Sequence, residues 1–147
     1  MKVDMKFEVA IVPVSDVERA KVFYTKLGWR VDDDIVNGAD FRAVQLTPPG
    51  SAASITFGKG VTDAKPGSFR GGLIVSDIVA AHKQIVASGI KATDVFHGSP
   101  FSPEARISGP DPGRKSYSSY VAFQDPDGNA WIIQEVTQRA PGRELPK

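Results

Sequence analysis

Two stretches of this chain are copies of each other. VPVSDVERAKVFYTKLGW (residues 12–29) aligns without gaps on LIVSDIVAAHKQIVASGI (residues 73–90) at an offset of 61. Val14 falls on Val75, Ser15 on Ser76, Asp16 on Asp77, Ala20 on Ala81 and Gly28 on Gly89. A chain that carries one supersecondary unit twice must bury two similar helices against two similar sets of strands. No other feature of the sequence restricts the fold as much.

Each copy has the same local physics. An apolar run (Val9 to Val14; Leu73 to Val75) reads as a strand, and Ser-Asp then offers a helix N-cap with its charge at the helix's positive end. Val17, Ala20, Phe23, Tyr24 and Leu27 recur at helical spacing, as do Ile78, Ala81, Ile85 and Val86. Gly28 and Gly89 stand where a left-handed residue ends a helix. Extended segments follow each helix. After the first come Trp29 to Ile35, Phe41 to Thr47 and Ser54 to Phe57, broken by Asn37-Gly38 and Pro48-Pro49-Gly50. After the second come Lys91 to Phe96, a long loop, Tyr117 to Phe123, the turn Asp125-Pro126-Asp127-Gly128, and Ala130 to Val136. The expected class is therefore α+β, with two tandem βαβββ modules. Residues 1–57 form the first, 58–68 a linker, 69–137 the second with its loop at 97–116, and 138–147 a polar tail.

Composition removes whole classes of chemistry. The 147 residues include no cysteine, which excludes disulfides, thiolate zinc sites and a Cys nucleophile. With two histidines, any all-protein metal site would lean on carboxylates. Eighteen Lys and Arg balance 17 Asp and Glu, so neither nucleic acid nor an anionic membrane is an expected partner. No apolar run reaches the length of a secretory signal or a membrane span, and the expected setting is cytoplasmic. There is no GxSxG elbow, no GxxxxGK[ST] loop and no HExxH pair. Asp125-Pro126-Asp127-Gly128 lacks the spaced ligands of a calcium loop and reads as a tight turn, and Asp32-Asp33-Asp34 as a solvated strand end.

VSDVERAKVFYTKLGW, the second VSDI with its helix, and FQDPDGNAWIIQE together resemble the vicinal oxygen chelate superfamily. That family holds glyoxalase I, the extradiol dioxygenases and the fosfomycin- and bleomycin-resistance proteins. The resemblance covers nearly the whole chain. It implies a cup-shaped mixed sheet around a pocket with the helices outside, the modules pairing within a chain or across a dimer, and it makes a homodimer the expected state.

The family's metalloenzymes place His, Glu or Gln at four inward strand positions. One lies seven residues before each strand-end Asp and another four after a turn Gly. Here those positions hold Val9, Arg70, Ser54 and Ile132. Valine and isoleucine offer no lone pair, serine is a weak neutral ligand, and an arginine repels a divalent cation. The resemblance therefore reads as a cup without a metal cofactor. Glu8, His97 and Glu135 are the remaining candidate ligands. Glu8 and Glu135 each stand one residue beyond an inward position, on the opposite face of an alternating strand.

Without a metal, the inward positions describe a small-molecule pocket lined by Val9, Ile11, Ser54, Thr56, Arg70, Gly72, Ile132 and Gln134. Arg70 needs an anion, supplied by a protein carboxylate or by a ligand. Thr56 and Gln134 orient a ligand or close an internal network. The loop HGSPFSPEARISGPDPGRKS (97–116) has no counterpart in the first half and is too long for a plain connection. It reads as a lid, or as an arm across a dimer partner, with Phe101 as apolar anchor and Arg114 as charge. The expected function is a bleomycin-resistance-like protein binding a small anionic or aromatic molecule. The alternative is a metal-dependent glyoxalase-type lyase, isomerase or dioxygenase with an atypical ligand set.

Overall fold

Both aspartates of the repeat cap helices. In the computed structural model, which describes residues 2–143, the Asp16 carboxylate accepts from the Arg19 N–H at 3.0 Å ahead of α1 (Val17–Lys26). Asp77 accepts from the Val79 and Ala80 N–H groups, both at 3.1 Å, ahead of α2 (Ile78–Ala87). Each cap satisfies backbone donors that a helix cannot satisfy internally. Both helices have 10 residues. Gly28 and Gly89 then turn the chain at φ values of +86° and +82°, which a side chain would strain.

The strands divide between two mixed sheets. The first contains β1 (Val9–Ile11), β2 (Arg30–Val36), β3 (Arg42–Thr47) and β4 (Ser54–Lys59), in the order β1-β4-β3-β2. The second contains β5 (Arg70–Val75), β6 (Phe96–Gly98), β7 (Arg106–Ser108), β8 (Tyr120–Gln124) and β9 (Ala130–Glu135), in the order β5-β9-β8-β6-β7. In each sheet the strand before the helix pairs in parallel with the last strand of its module, and the other pairs are antiparallel. The repeat thus extends from the helices to the sheet order.

The second half departs from the expected strands in three places. Lys91 to Phe96 is not continuous: the Thr93 hydroxyl accepts the Ala122 N–H at 3.0 Å, a side chain taking a ladder bond, and ahead of β6 Ala92 forms an isolated bridge to Phe123. Tyr117 adopts φ +71°, so the next strand starts at Tyr120. The loop 97–116 is not without structure. Pro103–Ala105 makes a single 3-10 turn, and Arg106–Ser108 then pairs with β6 as an added edge strand. In the first half, β4 runs to Lys59, two residues into the segment read as linker. Residues 144–147 of the polar tail lie outside the described residues.

The chain forms two compact units. One runs to Phe69 and includes Asp125–Asn129; the other holds Arg70–Gln124 and continues from Ala130. In the first, α1 presses Ala20 and Tyr24 onto Val44, Leu46, Ile55 and Phe57, all buried. The Tyr24 ring lies 5.0 Å from Trp29 and 5.8 Å from Phe57. In the second, α2 places Ile78 and Ile85 with Val121, Phe123, Trp131 and Ile133. Full burial of each such side chain contributes about 1.5–3 kcal/mol.

The turn Asp125–Asn129 is held by side chains rather than by turn geometry alone. Oδ1 of Asp125 accepts the N–H groups of Asp127 and Asn129, at 2.9 and 3.0 Å. Its Oδ2 accepts the Tyr24 hydroxyl at 2.9 Å and the Asn129 amide at 2.8 Å. Asn129 also donates to the Pro13 carbonyl at 2.8 Å and accepts the Phe69 N–H at 3.0 Å. Acidic Asp125-Pro126-Asp127-Gly128 is therefore a structural clasp.

Candidate ligand-binding site

Alternation decides which side chains each helix leaves uncovered. In the first sheet, Ile55 and Phe57 face α1, so Ser54 and Thr56 point to the other face, as do Val9 and Ile11 on the neighbouring strand. Val9 pairs with Ser54 and Ile11 with Thr56. Val9 and Ile11 remain 40% and 46% exposed, an open apolar strip on a strand otherwise committed to the fold. Ser54 and Thr47 are buried at its margin, their hydroxyl oxygens 2.6 Å apart. Thr47 donates to Asp32, which also accepts from Arg30, so the Ser54 hydroxyl donates to Thr47. Hydrogen bonds from Arg30 first, then Thr47, hold the Asp32 carboxyl below its ordinary range. Asp34 pairs with Lys21 and Arg42, each at 2.8 Å. The three aspartates thus lie within β2 rather than at its end; all are exposed, and Asp32 and Asp34 are partnered.

The open face of the second sheet is built differently. Trp131, Ile133 and Glu135 point to the helix side, which leaves Ala130, Ile132 and Gln134 on the other. Strand pairing sets Ile74, Gln134, Tyr120 and Phe96 in one row, and Gly72, Ile132 and Ala122 in the next. Arg70 heads β5, exposed and level with Ala130. Gln134 is half-buried and donates to the Tyr117 carbonyl at 2.9 Å, where the Tyr120 hydroxyl also donates at 2.8 Å. A Cβ added at Gly72 would meet nothing within 4 Å. Phe96 lies 5.5 Å from Tyr120, centroid to centroid, and the Arg106 guanidinium covers the Phe96 ring at 4.3 Å.

One of the four positions counted for a metal ligand shifts. Val9 faces Ser54 in the first sheet, but Arg70 faces Ala130 in the second, while Ile132 faces Gly72. The Asp125 clasp tightens the second turn, so β9 begins two residues after Gly128 whereas β4 begins four after Gly50. Alanine, like isoleucine, has no lone pair to offer a metal. At these positions the first unit thus offers an aliphatic carbon and a hydrogen-bonded serine, and the second an arginine and another aliphatic carbon; neither pair suits a divalent ion.

The remaining candidate ligands do not improve the fit. Glu8 is exposed ahead of β1. His97 alternates with Phe96 and so leaves the open face, and its Nδ1 lies 2.7 Å from the Gly109 carbonyl oxygen. Glu135 is 1% exposed on the helix side, where it accepts from Arg114 at 2.9 and 2.6 Å and from the Ile78 N–H at 2.9 Å. The Arg114 hydrogen bonds hold its carboxyl below the ordinary range against burial, which pushes the other way. Among the described residues no three His, Cys, Asp or Glu side chains gather to hold a metal.

Of the two residues expected of a lid, Phe101 is 91% exposed. Arg114, at φ +50°, is tied to Glu135 and lies 3.5 Å from Asp77. In the sequence Arg106 is one more charge of the loop 97–116, and nothing there links it to Phe96 or Tyr120. What brings the three together is β7, a strand too short and too closely flanked by prolines to show in the sequence pattern. A separate open groove of about 320 Å³ in the first unit runs past Val17, Val36, Phe41, Arg42 and Lys59. Its cations are already engaged, Arg42 by Asp34 and Glu18 and Lys59 by the Ala39 carbonyl.

Comparison with known proteins agrees with this architecture. The Glyoxalase/Bleomycin resistance protein/Dioxygenase superfamily profile matches residues 6–133. Among solved structures, TnmS3, an antibiotic binding protein from Streptomyces sp. CB03234, is 26% identical at a TM-score of 0.69, over 92% of this chain and 99% of that one. A glyoxalase/bleomycin resistance protein from the same organism is 27% identical at a TM-score of 0.65, over 88% of this chain and 100% of that one. A superfamily member from Sphaerobacter thermophilus DSM 20745 is 26% identical at 0.65, over 90% and 98%. No curated protein sequence matches the chain. No helix among the described residues is long and apolar enough to cross a membrane.

Proposed function

The chain belongs to the Glyoxalase/Bleomycin resistance protein/Dioxygenase superfamily, and from that premise we propose that it is a metal-free binding protein for a small aromatic or anionic molecule. The observation that carries this reading is the make-up of the two open sheet faces. They expose Val9, Ile11 and Ile74 beside neutral hydrogen-bonding groups, and the family's ligand positions hold side chains unsuited to a metal. Apolar walls with a few fixed polar groups bind small molecules. The likeness to an antibiotic binding protein supports the same reading.

In this proposal Val9, Ser54 and Thr56 are the ligand-facing residues of the first sheet, and Ile132 and Gln134, with Arg70 as positive charge, those of the second. Phe101 and Arg114 belong to the segment that borders the second face. The assembly proposed is a homodimer, which sedimentation of the purified protein checks.

The function is tested by elemental analysis of protein purified without chelator, followed by titration with N-phenyl-1-naphthylamine, an uncharged aromatic probe whose fluorescence rises on burial. The expected result is saturable binding that EDTA leaves unchanged, on protein without stoichiometric divalent metal. Absence of saturable binding, or binding that appears only after added divalent metal, overturns the proposal.

A further inference from the structure

We propose that Arg106, held flat on Phe96, recognises an anionic group on a planar aromatic ligand lying over the open face of the second sheet. The proposal rests on the small-molecule reading above and adds to it the chemical class of the ligand and the residue that selects it.

Strand register places the residue. Gly98 pairs with Arg106 and Phe96 with Ser108, so Phe96 and Arg106 are diagonal neighbours on one face. Phe96 is next to Tyr120, and Tyr120 is opposite Gln134. The guanidinium therefore closes the end of the row that holds the buried rings of Phe96 and Tyr120, on the side of the sheet away from α2. Stacking on the ring fixes its plane, which makes it a prearranged fork for oxygen atoms.

Its charge is not spent within the chain. Arg19, Arg30, Arg42 and Arg114 each meet a carboxylate. Among the described residues Arg106 has no ion-pair partner. Its Nη2 reaches only the Pro100 carbonyl, at 3.4 Å, and its Nε is buried without an acceptor. A partly desolvated cation with an unused donor lowers stability unless an anion completes it. The neighbouring Glu104 does not do so, since its own backbone and Ser102 are what hold its carboxyl below the ordinary range.

Space for the aromatic body is present on the same face. Neither contacts nor a left-handed backbone require a glycine at position 72, and the volume above it is open. With Ala122 on the other side of Ile132, it leaves a low floor one row from Tyr120 and Phe96. A low floor beside exposed Ile74 and one fixed guanidinium suit a ring system carrying a carboxylate, phenolate or sulfonate.

The test compares two probes that differ chiefly in charge: 1-anilinonaphthalene-8-sulfonate and N-phenyl-1-naphthylamine. Both are titrated into wild type, Arg106→Gln, Arg106→Lys and Gly72→Leu, with thermal unfolding confirming that each variant folds. Arg106→Gln is expected to weaken sulfonate binding by about ten- to a hundredfold and the uncharged probe by less than about twofold. Arg106→Lys, which keeps the charge without the flat fork, falls between them. Gly72→Leu weakens both probes alike, since it removes space rather than charge. The proposal is overturned if Arg106→Gln affects both probes equally or neither, or if Gly72→Leu leaves both unchanged. Should Arg106→Gln not fold, Arg106→Lys decides, and sulfonate binding equal to wild type overturns the proposal. If wild type binds the uncharged probe but not the sulfonate, this proposal fails alone. If it binds neither, the small-molecule reading fails with it.

Discussion

Replacing Asn129 by aspartate keeps the shape of a buried side chain and reverses one half of its hydrogen bonding. The Asn129 amide nitrogen donates to the Pro13 carbonyl and to Oδ2 of Asp125, both at 2.8 Å, while its oxygen accepts the Phe69 N–H at 3.0 Å. Asn129→Ala removes all three bonds and leaves the Pro13 carbonyl buried without a donor. At about 1–3 kcal/mol for an orphaned buried group, less for the half-buried Phe69 N–H, the loss comes to about 3–4 kcal/mol. Asn129→Asp retains the bond to Phe69 but puts an acceptor against two acceptors, one of them a carboxylate. It is therefore expected to cost at least as much as alanine at pH 7, although alanine removes more atoms. With urea m-values of about 1–3 kcal/mol per molar, either change lowers the unfolding midpoint by about 1–2 M or more. The two variants separate on acidification. Two carboxylates in contact share a proton, so the folded pair has a raised pKa and its penalty is relieved as pH falls toward that value. The Asn129→Asp midpoint should thus approach wild type between pH 8 and pH 5, and that of Asn129→Ala should not. An aspartate variant more stable than the alanine one at pH 7, or a gap that does not narrow, would refute the reasoning.

Three further outcomes follow from the described contacts. Asp34→Asn is expected to lower stability at pH 7 and pH 5. Hydrogen bonds from Arg42, then Lys21, hold the Asp34 carboxyl below its ordinary value of 3.8, so its contribution is complete above that value and is lost as pH falls below it. Urea midpoints should converge with wild type in acid. Glu135→Gln should behave likewise around the ordinary glutamate value of 4.5 and lower the thermal midpoint at neutral pH, because the variant loses the charge that meets Arg114 and the start of α2. Gly58→Ala and Gly72→Ala should differ sharply. A Cβ at Gly58 runs into the Arg42 carbonyl on the paired strand, whereas at Gly72 it meets nothing. Circular dichroism should show the first variant misfolded and the second unfolding at the wild-type temperature.

The parts legible in the sequence are those fixed by neighbours along the chain. Asp16 and Asp77 each bond to an N–H two or three residues ahead, and Gly28 and Gly89 end helices whose apolar spacing is local. The site depends on partners far away. That Arg106 lies diagonal to Phe96 follows from a three-residue edge strand between prolines, a pattern too short for alternation to register. The displacement of the counted position from Ile132 to Ala130 has the same origin. It depends on how tightly the Asp125 carboxylate draws in a turn, and its ties to Tyr24 span 101 residues. Arg114 and Tyr117 hold left-handed backbone conformations that neither residue type announces, and for that reason β8 starts at Tyr120 rather than at Tyr117.

Because Asp125–Asn129 belongs to the first unit while both strands it joins belong to the second, the chain crosses between units three times. The two copies of the repeated motif are therefore not separable cassettes. A fragment ending at Phe69 would retain β1 to β4 and α1, yet the Tyr24 hydroxyl and the Pro13 carbonyl would lose their partners. Cutting the gene at its apparent seam would leave the first product short of five residues encoded at the far end. A circular permutant opened inside that turn would separate the clasp from one of its strands. The repeat makes the halves alike, and the sharing of one turn makes them interdependent.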